Sequence, residues 1–184
     1  MNFNKHFNLV GKHAFLSASQ YHWLNYNDEK LVERFFNNEA IERGTRLHAL
    51  AAEHIEMGIY MPHNKQTLNA YINDAISFGM TPEQVLYYSD NCFGTADAIS
   101  FKKNKLRIHD LKTGTTPASI KQLEIYAALF CLEYEYKPGE IDMELRLYQN
   151  NEIVVEKPEA NIIFPIMDRI IHFDKLIEQA KKEG

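Results

Sequence analysis

The spacing of apolar residues along this chain alternates between a helical and a strand period, and each switch marks a boundary between predicted elements. Residues 17–26 read as a short helix, with Ser17 or Ser19 as its cap and Tyr21, Trp23 and Leu24 as apolar surface. From about 39 to 57, Ile41, Thr45, His48, Ala52 and Ile55 fall near one stripe of a longer helix, and Gly58 stands where a C-terminal cap belongs. A further helix is predicted over 66–78, closed by Gly79. The texture then changes to short runs rich in β-forming residues at 85–88, 93–101 and 106–111, with Lys102-Lys103-Asn104-Lys105 as a hairpin turn between the last two. A polar loop at 113–117 follows. Helical spacing returns over 118–135 through Ile120, Leu123, Tyr126, Ala127 and Phe130, and Pro138-Gly139 breaks it. Strands at 141–148 and 153–155, joined by Gln149-Asn150-Asn151, precede a closing helix over about 160–182.

This order predicts an α/β (α+β) fold with a mixed central β-sheet flanked by helices. The chain of 184 residues suits one domain with a sizeable core. Within it, a helical part spans about 16–80, a sheet-and-helix part about 83–156, and a C-terminal helix about 160–182.

Composition narrows the class only a little. Hydrophobic residues make up 45% and charged residues 24%, as in ordinary globular proteins. No apolar run is long enough to span a bilayer and the opening residues lack a signal-peptide core, so a cytoplasmic protein with no membrane partner is expected. Cys92 and Cys131 are too few for a disulfide scaffold or a cysteine-only metal cluster, and are expected as small buried filler. The net charge of −5 is not that of a generic nucleic-acid binder, although a local basic strip can hold phosphates on an acidic protein.

The chemistry concentrates in two adjacent predicted strands. Gly94-Thr-Ala-Asp97 lies in the first, and Asp110-Leu-Lys112 ends the second. Asp110 and Lys112 are two apart, so they leave the same face of a strand. Charge on an apolar strand end needs an explanation, because unpaired buried charge is costly. Hydrolysis of a phosphodiester assisted by a divalent metal supplies one. Carboxylates hold Mg2+ or Mn2+, both of which favour oxygen ligands, and an adjacent lysine stabilises charge developing on the phosphoryl oxygens. The Leu111 carbonyl between them is a further candidate oxygen donor.

These motifs, followed by Gln122-x-x-x-Tyr126 and preceded by Arg43-Gly-Thr-Arg-Leu-His48, resemble the PD-(D/E)XK nucleases. The branch is the one that contains the RecB-like, lambda-type and exonuclease VIII-like enzymes. The resemblance spans residues 16 to about 148 and includes Leu16-Ser-Ala-Ser19 before an aromatic-rich helix. It implies a restriction-endonuclease-like core and a Mg2+- or Mn2+-dependent deoxyribonuclease. Asp97, Asp110 and Lys112 would be its catalytic residues. His48, Asp97, Asp110 and the Leu111 carbonyl would be metal ligands. Gln122, Tyr126, Gly114, Thr113, Arg43 and Lys103 would support the site or touch DNA. Glu53 would be an outer support and Glu83 a minor supporting acid. The iron–sulfur cluster of some relatives needs four cysteines and is not expected here. DNA is the implied partner, with a homo-oligomer or a recombination protein as further possibilities. An exonuclease in recombination or DNA-end processing is the leading expectation. An endonuclease on the same scaffold and a non-catalytic DNA- or partner-binding module derived from a nuclease stay open.

Other patterns compete. Lys102, Lys103, Lys105 and Arg107 form a basic hairpin that either tracks phosphates or is a solvated turn. Arg46 and Lys121 are further candidates for phosphate contact, and Tyr21 or Trp23 for stacking on bases. Gly114 either permits a turn or lets backbone approach a phosphate. Ser89-Asp-Asn91, Ser100-x-x-Lys103 and Lys112-Thr-Gly114 match the short motifs of class A β-lactamases, but in the wrong order and crowded into a three-strand stretch.

Overall fold

A computed structural model describes residues 4–183. Met1, Asn2, Phe3 and Gly184, which the single-domain reading also takes in, lie outside the described residues. The expected α/β architecture is present, with a five-stranded mixed sheet flanked by helices. Contacts divide the chain into two units, Met1–Thr45 and Arg46–Gly184.

In the first unit the expected helix at 17–26 is a 3-10 stretch, Ala18–Asn25, kinked at Gln20 (φ −114°, ψ 49°). Ser17 does not cap it. Its hydroxyl meets that of Ser19 at 2.8 Å, and its carbonyl accepts the Trp23 indole N–H. The next helix, α1 (Asp28–Met57), starts well before the expected residue 39. Its start has a local cause: Asn27 Oδ1 accepts the Lys30 amide, and Asp28 and Glu29 occupy the positive first turn. Phe35 packs edge to face on Phe15, with ring centres 5.5 Å apart.

The second unit holds residues 46–57 of α1, α2 (Thr67–Phe78) and β1 (Thr81–Ser89), then β2 (Cys92–Lys102) and β3 (Lys105–Leu111). It continues through α3 (Lys121–Glu133), β4 (Asp142–Gln149), β5 (Glu152–Glu156) and α4 (Ala160–Glu183). The strands lie in sequence order. All neighbours are antiparallel except β3 and β4, which are parallel and joined across α3. β1 begins at Thr81 rather than 85. It takes in Pro82, which an edge strand tolerates because one side of its backbone needs no partner.

The central strands are covered on both faces, as a parallel pair requires. Leu106 and Ile108 of β3 and Met143 and Leu145 of β4 pack with Leu123, Ala127 and Phe130 of α3 and Ile163 of α4. Leu111 and Tyr148 turn to the other face, with Ala51 and Ile55 of α1 and Tyr71, Ile72 and Ala75 of α2. Cys131 is buried in the first of these cores, as expected of it, whereas Cys92 is only half-buried at its margin. Among the described residues no helix is long and apolar enough to cross a membrane.

Candidate active site

β3 and β4 run in parallel and end together, and the Lys112 amide extends their pairing by donating to the Tyr148 carbonyl at 2.9 Å. This brings the end of β3 beside the start of α3, the usual location of a site in a sheet with parallel strands. Asp110 is 1% exposed, on the same strand face as Ile108 and Leu106. Lys112 Nζ lies 3.0 Å from each of its carboxylate oxygens and donates a hydrogen bond to Oδ1. The ammonium also donates to Gln122 Oε1 at 2.8 Å, and Gln122 Nε2 donates to Tyr126 Oη at 3.0 Å. The four-residue spacing of Gln122 and Tyr126 makes them neighbours on one face of α3.

Gly94 closes this chain of contacts. A Cβ built there would lie 2.9 Å from Tyr126 Cε1, closer than carbon atoms pack, so the tyrosine ring occupies the space a side chain would need. The three sequence motifs thus form one physical assembly. Gly94 admits Tyr126, Tyr126 holds Gln122, and Gln122 with Asp110 holds Lys112.

Asp97 is tied to the same strand end, because its Oδ2 accepts the Leu111 amide at 2.8 Å. His48 Nδ1, from α1, is 3.4 Å from the same oxygen. Glu83 joins them. One ligand atom from each of His48, Glu83 and Asp97 lies within 4.8 Å of the others. Glu83 faces Asp97 across the β1–β2 ladder, between the pairs Pro82↔Ala98 and Gln84↔Ala96, and has the left-handed φ of 48°. Tyr71 of α2 is also within electrostatic reach of Asp97, Glu83 and Asp110.

Three carboxylates meeting one ammonium and one imidazole distort the acid–base balance. The hydrogen bond to Asp97 raises the His48 pKa, and burial opposes it less strongly. Burial and then the Asp97 charge raise the Asp110 carboxyl above its ordinary range, against the pull of Lys112. Glu83 is raised for the same two reasons, and burial followed by the surrounding carboxylates pushes the Tyr71 phenol up. Asp110 Oδ2 is buried and accepts no hydrogen bond. Three carboxylates held together with one ammonium and one imidazole leave an excess of negative charge that fits a divalent cation. Of the expected ligands, His48 and Asp97 have donor atoms close enough, together with Glu83, for one ion. Asp110 is outside that group and paired with Lys112, and its place as a ligand, like that of the Leu111 carbonyl, is what the resemblance implies.

Other expected residues of the second unit lie apart from this assembly. Thr113 and Gly114 follow Lys112 in a loop clamped by Gln149, whose Nε2 donates to the Gly114 and Thr116 carbonyls while its Oε1 accepts the Ala118 amide. Gly114 has no left-handed φ and open space where a Cβ would go, so the turn does not require glycine. Lys103 sits at the tip of the β2–β3 hairpin with φ 50°. That tip adjoins Lys105, five residues and about 17 Å along β3 from Asp110. Its neighbours are committed elsewhere. Lys102 caps the last carbonyls of α2, and Lys105 and Arg107 face Glu144. Glu53 is exposed and outside the cluster, and Lys121 pairs with Glu124. Arg43, Tyr21 and Trp23 belong to the first unit. Of the rival motifs, Ser89 and Asn91 bond to Asp174 while Ser100 is buried on its own strand, so they do not converge on one site.

Glu83, only a minor supporting acid by resemblance, stands inside the cluster, whereas Tyr71 and a polar layer on the opposite strand face belong to no sequence motif. There His109, Glu144, Arg146 and Tyr148 meet Asp74 of α2, with Tyr148 Oη donating to Asp74 at 2.7 Å and Arg146 bridging Asp74 and Glu144. The alternating polar residues of β3 and β4 are a visible signal for that layer. Compared with known proteins, the chain matches no protein-family model and no curated protein.

Proposed function

We propose that this protein is a metal-dependent deoxyribonuclease of the PD-(D/E)XK type, hydrolysing phosphodiester bonds at the end of β3. The observation that carries the reading is the linked assembly Asp110–Lys112–Gln122–Tyr126 on Gly94, beside Asp97 and His48. A surface ion pair would need none of these further contacts.

Asp97, Asp110, the Leu111 carbonyl and His48 would hold Mg2+ or Mn2+. When bound, the cation supplies Lewis-acid charge against the scissile phosphate. Lys112 presents ammonium protons to an attacking water and to a phosphoryl oxygen, where they count most as negative charge develops. Gln122 Oε1 accepts a hydrogen bond from that ammonium and, braced by Tyr126, keeps it from rotating away. Asp97 anchors the Leu111 backbone, so strand end and carboxylates stay in register. Within this reading we assign DNA as the substrate, exonucleolytic end processing as the role and the cytoplasm as the location, on the strength of the motif resemblance.

Purified protein incubated with linear and covalently closed circular DNA should degrade the linear form only when Mg2+ or Mn2+ is present. Asp110→Ala and Lys112→Ala should each abolish cleavage. Absence of hydrolysis on every DNA form by metal-replete protein would refute the reading, and cleavage of closed circles would replace exonuclease by endonuclease.

A further inference from the structure

We infer that Glu83 is a ligand of the metal centre, beyond the minor supporting role that the resemblance implies for it. The inference rests on the metal-dependent reading above but concerns binding alone. Its donor oxygen lies within 4.8 Å of donor atoms of both His48 and Asp97, close enough for one ion to touch all three. Two carboxylates brought this close, between the Pro82↔Ala98 and Gln84↔Ala96 pairs of the β1–β2 ladder, repel each other. Glu83 also holds a left-handed backbone inside a strand, a conformation disfavoured for a residue with a Cβ. These two costs share one remedy, a cation between the strands. An independent sign of an excess of negative charge is Asp110, 1% exposed, whose Oδ2 accepts no hydrogen bond although Lys112 Nζ stands 3.0 Å away, and whose charge is felt by both Asp97 and His48. One imidazole and carboxylate oxygens suit a divalent ion that accepts nitrogen as well as oxygen, so Mn2+ is the apt probe.

The test is Mn2+ binding by the full chain without DNA, followed through loss of the free-ion electron paramagnetic resonance signal. Glu83→Gln should weaken Mn2+ binding by about 10-fold or more, the scale expected when a group of a metal site is removed. Glu53→Gln removes an exposed acid outside the cluster and should leave binding within about 2-fold, as general surface charge is screened by salt. Glu83→Gly supplies a variant whose fold is not in question, because glycine accepts the left-handed backbone. It should melt at or above the parent's temperature yet lose Mn2+ affinity as Glu83→Gln does. Parent-like titration of both Glu83 variants overturns the proposal, as does an equal effect of Glu53→Gln. If the parent hydrolyses DNA with Mn2+ while the Glu83 variants bind like it, only this inference fails. Glu83-dependent Mn2+ binding without DNA hydrolysis sinks the nuclease reading alone. A parent that binds no Mn2+ overturns the inference outright.

Discussion

Gly94→Ala is the sharpest probe of how the site is held together. The added methyl would sit 2.9 Å from Tyr126 Cε1, where an ordinary carbon–carbon contact needs about 3.5–4.0 Å. The ring must therefore withdraw by roughly 0.6–1.1 Å. It is not free to do so, because it packs against the core and its hydroxyl is bonded to Gln122. Overpacking of this kind costs about 1–3 kcal/mol. For a chain of this length, about 2 kcal/mol corresponds to a melting-temperature drop of roughly 4–8 °C. Because the displaced tyrosine steadies Gln122 and hence Lys112, cleavage should fall by about 100-fold, the penalty typical of a 1 Å misplacement. Thermal melting and a metal-dependent cleavage assay read the two effects. The decisive arm is the double variant. With Tyr126→Leu in place the clashing atoms are gone, and adding Gly94→Ala should then cost less than about 0.5 kcal/mol. An unchanged melting temperature for Gly94→Ala, or an equal cost with and without Tyr126, would refute the coupling.

Two further predictions concern the layers around the site. Burial, then Arg146, hold the wholly buried His109 neutral, with its pKa lowered to about 3, while the unfolded chain protonates it near 6.5. The stability this gives is complete above pH 6.5 and is lost as pH falls toward 3, by at most about 1.4 kcal/mol per pH unit. Glu144 adds acid sensitivity below about pH 4.5, since hydrogen bonding from Lys105 and the Arg146 charge outweigh its burial and hold it at about 2. His109→Gln should therefore melt lower at pH 7 but converge on the parent as pH drops to 4, and melting curves that stay a constant distance apart would contradict this. Gln149→Leu removes the clamp on the loop after Lys112, so the Ala118 amide should exchange with solvent at least about 10-fold faster while the β4 amides keep their protection; unchanged Ala118 protection would count against the clamp.

Much of the fold was legible because local periodicity decides element type. The helices at 66–78 and 160–182 and the strands of β3 and β4 are where apolar spacing placed them. Departures occur where a local cue was weak or was outvoted. Asn27 and the two acids after it start α1 early, and Pro82, which argues against a strand, is accommodated because β1 lies at the sheet edge.

The site divides in the same way. Asp110 and Lys112 face one way in any strand, and Gln122 and Tyr126 share a face in any helix, so those pairs follow from backbone geometry alone. Their meeting does not. It required β3 and β4 to pair in parallel with α3 laid against their ends, so that residues 10 and 14 positions beyond Lys112 return to it. Gly94 carried meaning only once Tyr126 stood against it. Glu83 entered the cluster only through the antiparallel pairing of β1 with β2 and the approach of residues 46–57 of α1 with His48. A strand or helix period is set by bonds between near neighbours, which any stretch of chain contains. Distances between carboxylates from separate elements depend on packing every layer at once, and the tertiary structure alone decides them.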